Sequence, residues 1–189
     1  LVFSISHTTR RPRGHEEDGK HYFFVTTEEF RRMIENDELL EWAELFGQDL
    51  YGTARRFLDE ARRRGHDLLL DIDVQGAAQV KQRLPEASSI FILPPSRQEM
   101  EARLRRRGED AEEVIKRRLG HAVREIRDYS KYDYVIVNDH LERAAEKLCA
   151  IVLAVRGEKR HDGEATDPQV QRWLQLRDDC RTSNAEPYV

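Results

Sequence analysis

The stretch DLLLDIDVQG, residues 67–76, decides the architecture. Leu68 to Leu70 form an unbroken apolar run that ends in two carboxylates, Asp71 and Asp73. A continuous apolar run of this kind suits a parallel strand covered on both faces, not a strand with one wet side. QGAAQVKQRL (75–84) follows with helical composition. The same strand-then-helix order recurs in SSIFILPPS (88–96), where Pro94-Pro95 stops the strand and Ser96 is placed to cap the helix of SRQEMEARLRRRG. Ile115, Leu119, Ala122, Val123 and Ile126 then form one apolar stripe between Asp110 and Asp128. YDYVIVND (132–139) reads as a third buried strand. LERAAEKLCAIVLAV (141–155) reads as a helix with Leu141, Ala144, Leu148, Ile151, Val152 and Val155 inward. Strands alternating with helices predict an α/β fold, a parallel sheet with helices on both faces.

Upstream the pattern changes. LVFSIS (1–6) and HYFFVT (21–26) read as strands, and TEEFRRMIEND as a short helix with Thr27 as N-cap. LLEWAELF and DLYGTA read as strand pieces around a turn at Gly47, before a helix in ARRFLDEARRRG that ends at Gly65. This strand-rich segment, about residues 15–53, predicts a small separate lobe. Beyond Arg156 the sequence is polar and aperiodic, with a short helix around Trp173, Leu174 and Leu176.

Composition narrows the class. The 36 acidic residues outnumber the 32 basic ones, which disfavours nucleic acid as a partner. No run reaches the ~20 apolar residues that cross a bilayer, so no membrane partner is expected. Cys149 and Cys180 are too few for a disulfide framework, and the expected setting is the reducing cytoplasm. The arginines nevertheless cluster, at 10–13 and 105–107 among other places, which suits a small anionic ligand.

Several constellations carry chemistry. Asp71 and Asp73 are two apart, so their side chains share a strand face. They could hold Mg2+, directly or through water, or accept hydrogen bonds from a ligand; a helix N-cap beside a surface acid is the plain alternative. In SHTTRRPRG (6–14), Arg10 and Arg13 flank Pro12, and a stiffened turn presenting two guanidinium forks suits phosphate. Glu41 lies beside Trp42 in an apolar strand, where a carboxylate is costly without a partner. It could accept the paired N–H donors of a guanine edge, N1–H and the N2 amino group, which adenine lacks. A surface position on an edge strand is the alternative. Arg103, Arg107 and Arg118 lie around Gly108–Asp110 and suit a loop closing over phosphates.

SISHTTRRPRGHEEDGKHYFF, LLEWAE, YGT, LLLDIDVQGA, IFILPPS, RLRRRG, KRRL and DYVIVNDHL, in this order over about residues 2–156, resemble guanylate kinase. The resemblance implies a nucleoside monophosphate kinase-like α/β fold of the P-loop class. A guanylate kinase-like domain would span 1–156, with a GMP-binding lobe at about 15–53 and a helical lid at about 103–118. Residues 157–189 would be a polar extension without an assigned role. It implies GMP and ATP as substrates, Mg2+ with ATP, transfer of the γ-phosphoryl group to GMP, and a monomer or homodimer. It further implies that Ser6, Glu41, Thr53 and Asp73 bind the guanine, and that Arg10, Arg13, Tyr22 and Tyr51 bind the GMP phosphate. Asp71 would face Mg2+. Arg103, Arg107 and Asn138 would serve ATP, and Arg13, Arg103, Arg107 and Arg118 would stabilise the moving phosphoryl group.

Two departures accompany the resemblance. The family's G-x-x-x-x-G-K-[ST] phosphate loop does not occur; the one Gly-Lys, Gly19-Lys20, precedes His21 inside the GMP motif. The reading expects that loop, with its strand and helix, to be encoded upstream, and these 189 residues alone to be inactive in turnover. The alternative is an inactive guanylate-kinase-like binding module that takes a phosphopeptide or GMP. The segment from Glu41 to Tyr51 is also one residue longer than the family pattern, which a bulge or a longer hairpin turn would accommodate.

Overall fold

The computed structural model describes residues 1–45, 49–106, 112–158 and 168–181. The chain divides into two compact units, Leu1–Ala87 and Ser88–Val189.

In the first unit, β1 (Val2–Phe3) pairs in parallel with β6 (Leu68–Leu69), Val2 opposite Leu68. Backbone bonds from Val2 N–H to Asp67 O (2.8 Å) and from Ser4 N–H to Leu69 O (3.0 Å) continue the ladder. The expected strand LVFSIS is thus shorter, and the chain leaves it to enter a second sheet at β2 (His7–Thr8). Leu68 to Leu70 are half-buried, less than the sequence predicts, because their sheet has only two strands among the described residues.

The second sheet has the order β3-β2-β5-β4, with β3 at Phe23–Phe24, β4 at Leu39–Leu45 and β5 at Asp49–Ala54. β2 pairs with β3 in parallel and with β5 antiparallel, and β4–β5 is an antiparallel hairpin. Its register is regular from Glu41↔Thr53 to Leu45↔Asp49. The expected turn at Gly47 lies outside the described residues, and with it the extra residue before Tyr51.

Alternation gives this sheet two unlike faces. His7, Phe23, Trp42 and Gly52 point toward helix α1 (Thr27–Glu35) and helix α2 (Arg55–Arg63), where Phe30, Met33, Leu39 and Ala54 form a core with Trp42 and Phe57 against it. A Cβ on Gly52 would stand 3.0 Å from the Phe30 ring and 2.8 Å from the Glu41 carbonyl, so this face closes tightly. Ser6, Thr8, Tyr51, Thr53 and Glu41 occupy the other face. α1 starts one residue before the sequence reading has it. Thr26 is the N-cap, in a reciprocal capping box with Glu29, a device worth about 1 kcal/mol.

His7 stacks on Phe23 at 4.9 Å between ring centroids and lies 3.4 Å from the Arg56 guanidinium. Burial, reinforced by Arg56, lowers its pKa from 6.5 to about 4. The folded ring therefore stays neutral where the unfolded one binds a proton. Its contribution is complete above pH 6.5 and is lost as the pH falls from 6.5 toward 4, on the order of 2 kcal/mol after allowing for solvent screening. Urea unfolding between pH 7 and 4 should show this slope, and His7→Phe should flatten it relative to the parent.

The second unit carries β7 (Ile90–Leu93) and β8 (Tyr134–Val137), parallel and in register from Ile90↔Tyr134 to Leu93↔Val137. The Ser96 hydroxyl accepts from Glu99 N–H (3.1 Å) at the start of α4 (Arg97–Arg106), the cap the sequence predicts. Helix α5 spans Glu112–Ile126 and α6 spans Leu141–Glu158. Tyr134, Ile136, Ala144, Ile151 and Cys180 form the core. Leu141, expected inward, is 71% exposed: it is the first residue of α6 and lies ahead of the turn that packs. Helix α7 (Pro168–Asp179) packs on α6, and Val135 N–H donates to Cys180 O at 2.7 Å. The region after Arg156, polar in sequence, thus supplies part of this core.

The α/β class predicted from alternation holds, with both β-strand pairs that carry it, β1–β6 and β7–β8, parallel.

Candidate functional site

The polar face of the four-stranded sheet gathers most of the site residues in the first unit. One end centres on Glu41, which is 3% exposed. Period-two alternation would put Leu39 and Glu41 on one face, yet Leu39 sits in the apolar core. The register shift between Leu39 and Glu41 resolves this: Leu39 opposes Ala54 and Glu41 opposes Thr53, with Leu40 as the extra residue. The bulge turns Glu41 onto the polar face.

Side chains from α3 (Val74–Arg83) and α2 fix the bulge. Arg83 Nη1 donates to both the Leu39 and Leu40 carbonyls at 2.6 Å, and Arg55 Nε donates to Leu39 O at 3.2 Å. Gln79 pairs with the Trp42 backbone through both amide atoms, 3.2 and 2.6 Å. β4 is an edge strand, and these contacts occupy its open side.

Burial pushes the Glu41 carboxyl above the usual range, Thr53 hydrogen bonds pull it back, and the Asp73 charge adds to the rise. Ser6 Oγ lies 3.4 Å from Thr53 Oγ1. Asp73 caps α3, accepting from Gly76 N–H at 2.9 Å. A Cβ on Gly76 would overlap Glu41 Oε2 and stand 3.3 Å from Asp73 Oδ1. Ser6, Glu41, Thr53 and Asp73 are therefore one cluster, a buried acceptor flanked by two hydroxyls and a second carboxylate.

The other end centres on Arg10. Its Nε donates to the Tyr51 hydroxyl (3.1 Å), and Nη1 and Nη2 grip Glu16 Oε2 and Oε1 at 2.9 and 2.8 Å. The guanidinium lies 5.4 Å from the Tyr22 ring centroid and 5.9 Å from that of Phe24. The Arg10 pairing, with help from Arg13 N–H, holds the Glu16 carboxyl down to about 2. Burial raises the Tyr22 hydroxyl, as do Tyr51 and Asp71, against the pull of Arg10. Tyr51 and Thr53 stand two residues apart on β5, ~7 Å along the strand, so one strand joins the two ends. Arg13 is exposed beside this cluster, its backbone N–H on Glu16 Oε2 at 2.7 Å.

Asp73 takes the helix-cap role that the sequence reading holds as an alternative, and Asp71 is exposed. Among the described residues no three His, Cys, Asp or Glu side chains gather as a metal cage. A single exposed carboxylate suits Mg2+, which keeps several waters and takes one or two protein carboxylates beside substrate phosphates.

In the second unit, Arg103 Nε pairs with Glu99 at 2.9 Å on α4, and Arg118 is half-buried on α5. Arg105 bonds to Glu101 and to Glu112, tying α4 to α5. Asn138 follows β8, its N–H on Leu93 O at 2.7 Å. Arg107 lies outside the described residues.

Sequence reasoning missed Glu16, Gly76, Gln79 and Arg83. A signal existed for Glu16 alone, an acid three residues after Arg13 in a basic turn.

The guanylate kinase family model matches residues 1–155. A guanylate kinase of Koribacter versatilis is 60% identical over 159 residues, covering 82% of this chain and 68% of that one. A guanylate kinase of Escherichia coli K12 is 50% identical over 164 residues, covering 84% and 79%. The crystal structure of guanylate kinase from Anaplasma phagocytophilum superposes with a TM-score of 0.70 at 37% identity, over 98% of this chain and 86% of that one.

Proposed function

The chain belongs to the guanylate kinase family, and from that premise we propose that its polar sheet face is the GMP site of an ATP:GMP phosphotransferase. An oxygen of the GMP phosphate attacks the γ-phosphorus of ATP, the bond from that phosphorus to the β-phosphate oxygen breaks, and GDP and ADP form. The protein supplies position and charge, and no side chain becomes covalently linked.

The single observation that carries the reading is Glu41, buried and faced by Thr53. A buried acceptor pair matches the N1–H and N2 amino donors of guanine. Adenine leaves it unsatisfied, and unpaired buried groups are the strongest means of rejecting an analogue. Ser6, Thr53 and Asp73 complete the base end. Tyr22, Tyr51, Arg10 and Arg13 supply donors and charge at the phosphate end. Asp71 would hold Mg2+ through water, and bound Mg2+ neutralises phosphate charge. Arg103, Arg107 and Arg118 serve the transferring group, Arg13 shares that role, and Arg103, Arg107 and Asn138 contact ATP. A cytoplasmic setting and a monomer or homodimer complete the proposal. No helix among the described residues is long and apolar enough to cross a membrane.

Titration calorimetry of the chain with GMP and with AMP tests the site. GMP should bind at least ~100-fold more tightly, the range a hydrogen-bond-reading pocket commands. Equal affinities would sink the assignment. A phosphopeptide that displaced GMP would favour the binding-module alternative.

A further inference from the structure

Glu16 is the acidic side chain paired with Arg10 at the phosphate end, and a carboxylate beside a phosphate site calls for explanation. We propose that Glu16 is a positioning residue: it locks Arg10 so that Tyr51 presents its hydroxyl proton to the GMP phosphate. The inference rests on the GMP-site reading above.

Six hydrogen bonds carry it. Glu16 closes on its own turn, since its N–H donates to Arg13 O at 2.8 Å while its Oε2 accepts Arg13 N–H at 2.7 Å. The carboxylate is therefore tied to its own turn, and swinging away from Arg10 would also cost it the Arg13 N–H bond. Both its oxygens hold Arg10, and a second Nη1 bond reaches Arg11 O at 2.8 Å. The guanidinium is thus fixed in plane, over Tyr22 and Phe24. Its Nε then donates to the Tyr51 oxygen at 3.1 Å. A hydroxyl that accepts from Arg10 keeps its own proton for another acceptor. Among the described residues these bonds use four of the five guanidinium N–H groups, leaving one on Nη2. Arg10 therefore meets the phosphate with one N–H and with an oriented tyrosine, instead of a bidentate fork. The opposite idea, that Glu16 stands in the phosphate's place and is expelled on binding, requires the loss of the turn bond to Arg13 as well.

The test compares GMP with guanosine, which lacks the phosphate, on the parent chain, Glu16→Gln and Glu16→Asp. Calorimetry reads affinity and thermal unfolding reads the fold. Glu16→Gln should weaken GMP at least ~10-fold, the scale of one charge-assisted hydrogen bond, and leave guanosine unchanged. Glu16→Asp, which keeps the charge but retracts it, should fall between. Tighter GMP binding in Glu16→Gln would overturn the proposal and show a competitor. An equal loss for guanosine would overturn it and leave Glu16 a purely structural residue. Failure of the GMP-site reading itself shows elsewhere, in a parent chain that does not prefer GMP to AMP.

Discussion

Glu41→Gln should lose GMP affinity by roughly 30- to 1000-fold, or ~2–4 kcal/mol, while AMP affinity holds or improves. The amide keeps one acceptor but turns an N–H2 toward one of the two guanine donors, N1–H or the N2 amino group. Adenine presents an acceptor at N1, which the same amide can satisfy. Selectivity should therefore collapse from both sides. The substitution should not cost stability. Burial raises the Glu41 carboxyl, so at neutral pH its charge opposes folding, and Gln removes that charge at nearly constant volume. Loss of binding with an unchanged or raised unfolding midpoint separates a functional residue from a structural one. The pH dependence gives an independent reading. An elevated carboxyl pKa means that the unliganded site takes up its proton at a higher pH than an ordinary glutamate does, and the proposed guanine contact needs the carboxylate. Guanosine affinity should fall with pH in the parent and stay flat in Glu41→Gln. Guanosine is the right probe because it has no phosphate to titrate. A variant that kept the parent's preference for GMP over AMP would end the base-readout assignment.

What the sequence made legible follows from how local each feature is. The parallel strands were readable because runs such as Leu68 to Leu70 and Tyr134 to Val137 are continuously apolar, although their burial was not: Leu68 to Leu70 are half-buried and Val137 is exposed. Glu41, Arg10 and Asp73 were readable as candidates because a carboxylate in an apolar strand, arginines around a proline, and acids at a strand end are each odd within a few residues. The aim of Glu41 was not. It depends on the bulge at Leu40, on the Arg83 guanidinium 43 residues away on its carbonyl, and on Gln79 from the same helix. Long-range satisfaction of backbone groups leaves no periodic trace. The misplacement of the α1 cap by one residue has a local cause: Thr26 and Thr27 are adjacent, and only the reciprocal bond to Glu29 chooses between them. Leu141 misled for a related reason, since a helical stripe does not say where the packed part of a helix begins.

Gly76 offers the sharpest test of how the site is built. It is the third residue of α3, inside a helix, where alanine ordinarily stabilises by about 1 kcal/mol. Gly76→Ala should not deliver that gain. Its Cβ would overlap Glu41 Oε2, an atom buried between Thr53 and α3, and would approach Glu41 Cδ to 3.1 Å. The helix cannot retreat, because Gln79 and Arg83 hold it to β4. The strand cannot either, because Glu41 is paired with Thr53. The carboxylate, held only by its Thr53 hydrogen bonds, is the group that gives way, so strain converts into a displaced side chain and not into unfolding. Gly76→Ala should therefore still fold, at a cost of ~1–3 kcal/mol, and lose GMP affinity on the scale of Glu41→Gln. The double variant decides the cause. If the methyl acts only by moving the carboxylate, Gly76→Ala in the Glu41→Gln background should cost little more, a coupling of ~2 kcal/mol between the two positions. Additive losses would mean that Gly76 contacts the nucleotide itself, and would move the guanine site from the sheet face onto the first turn of α3.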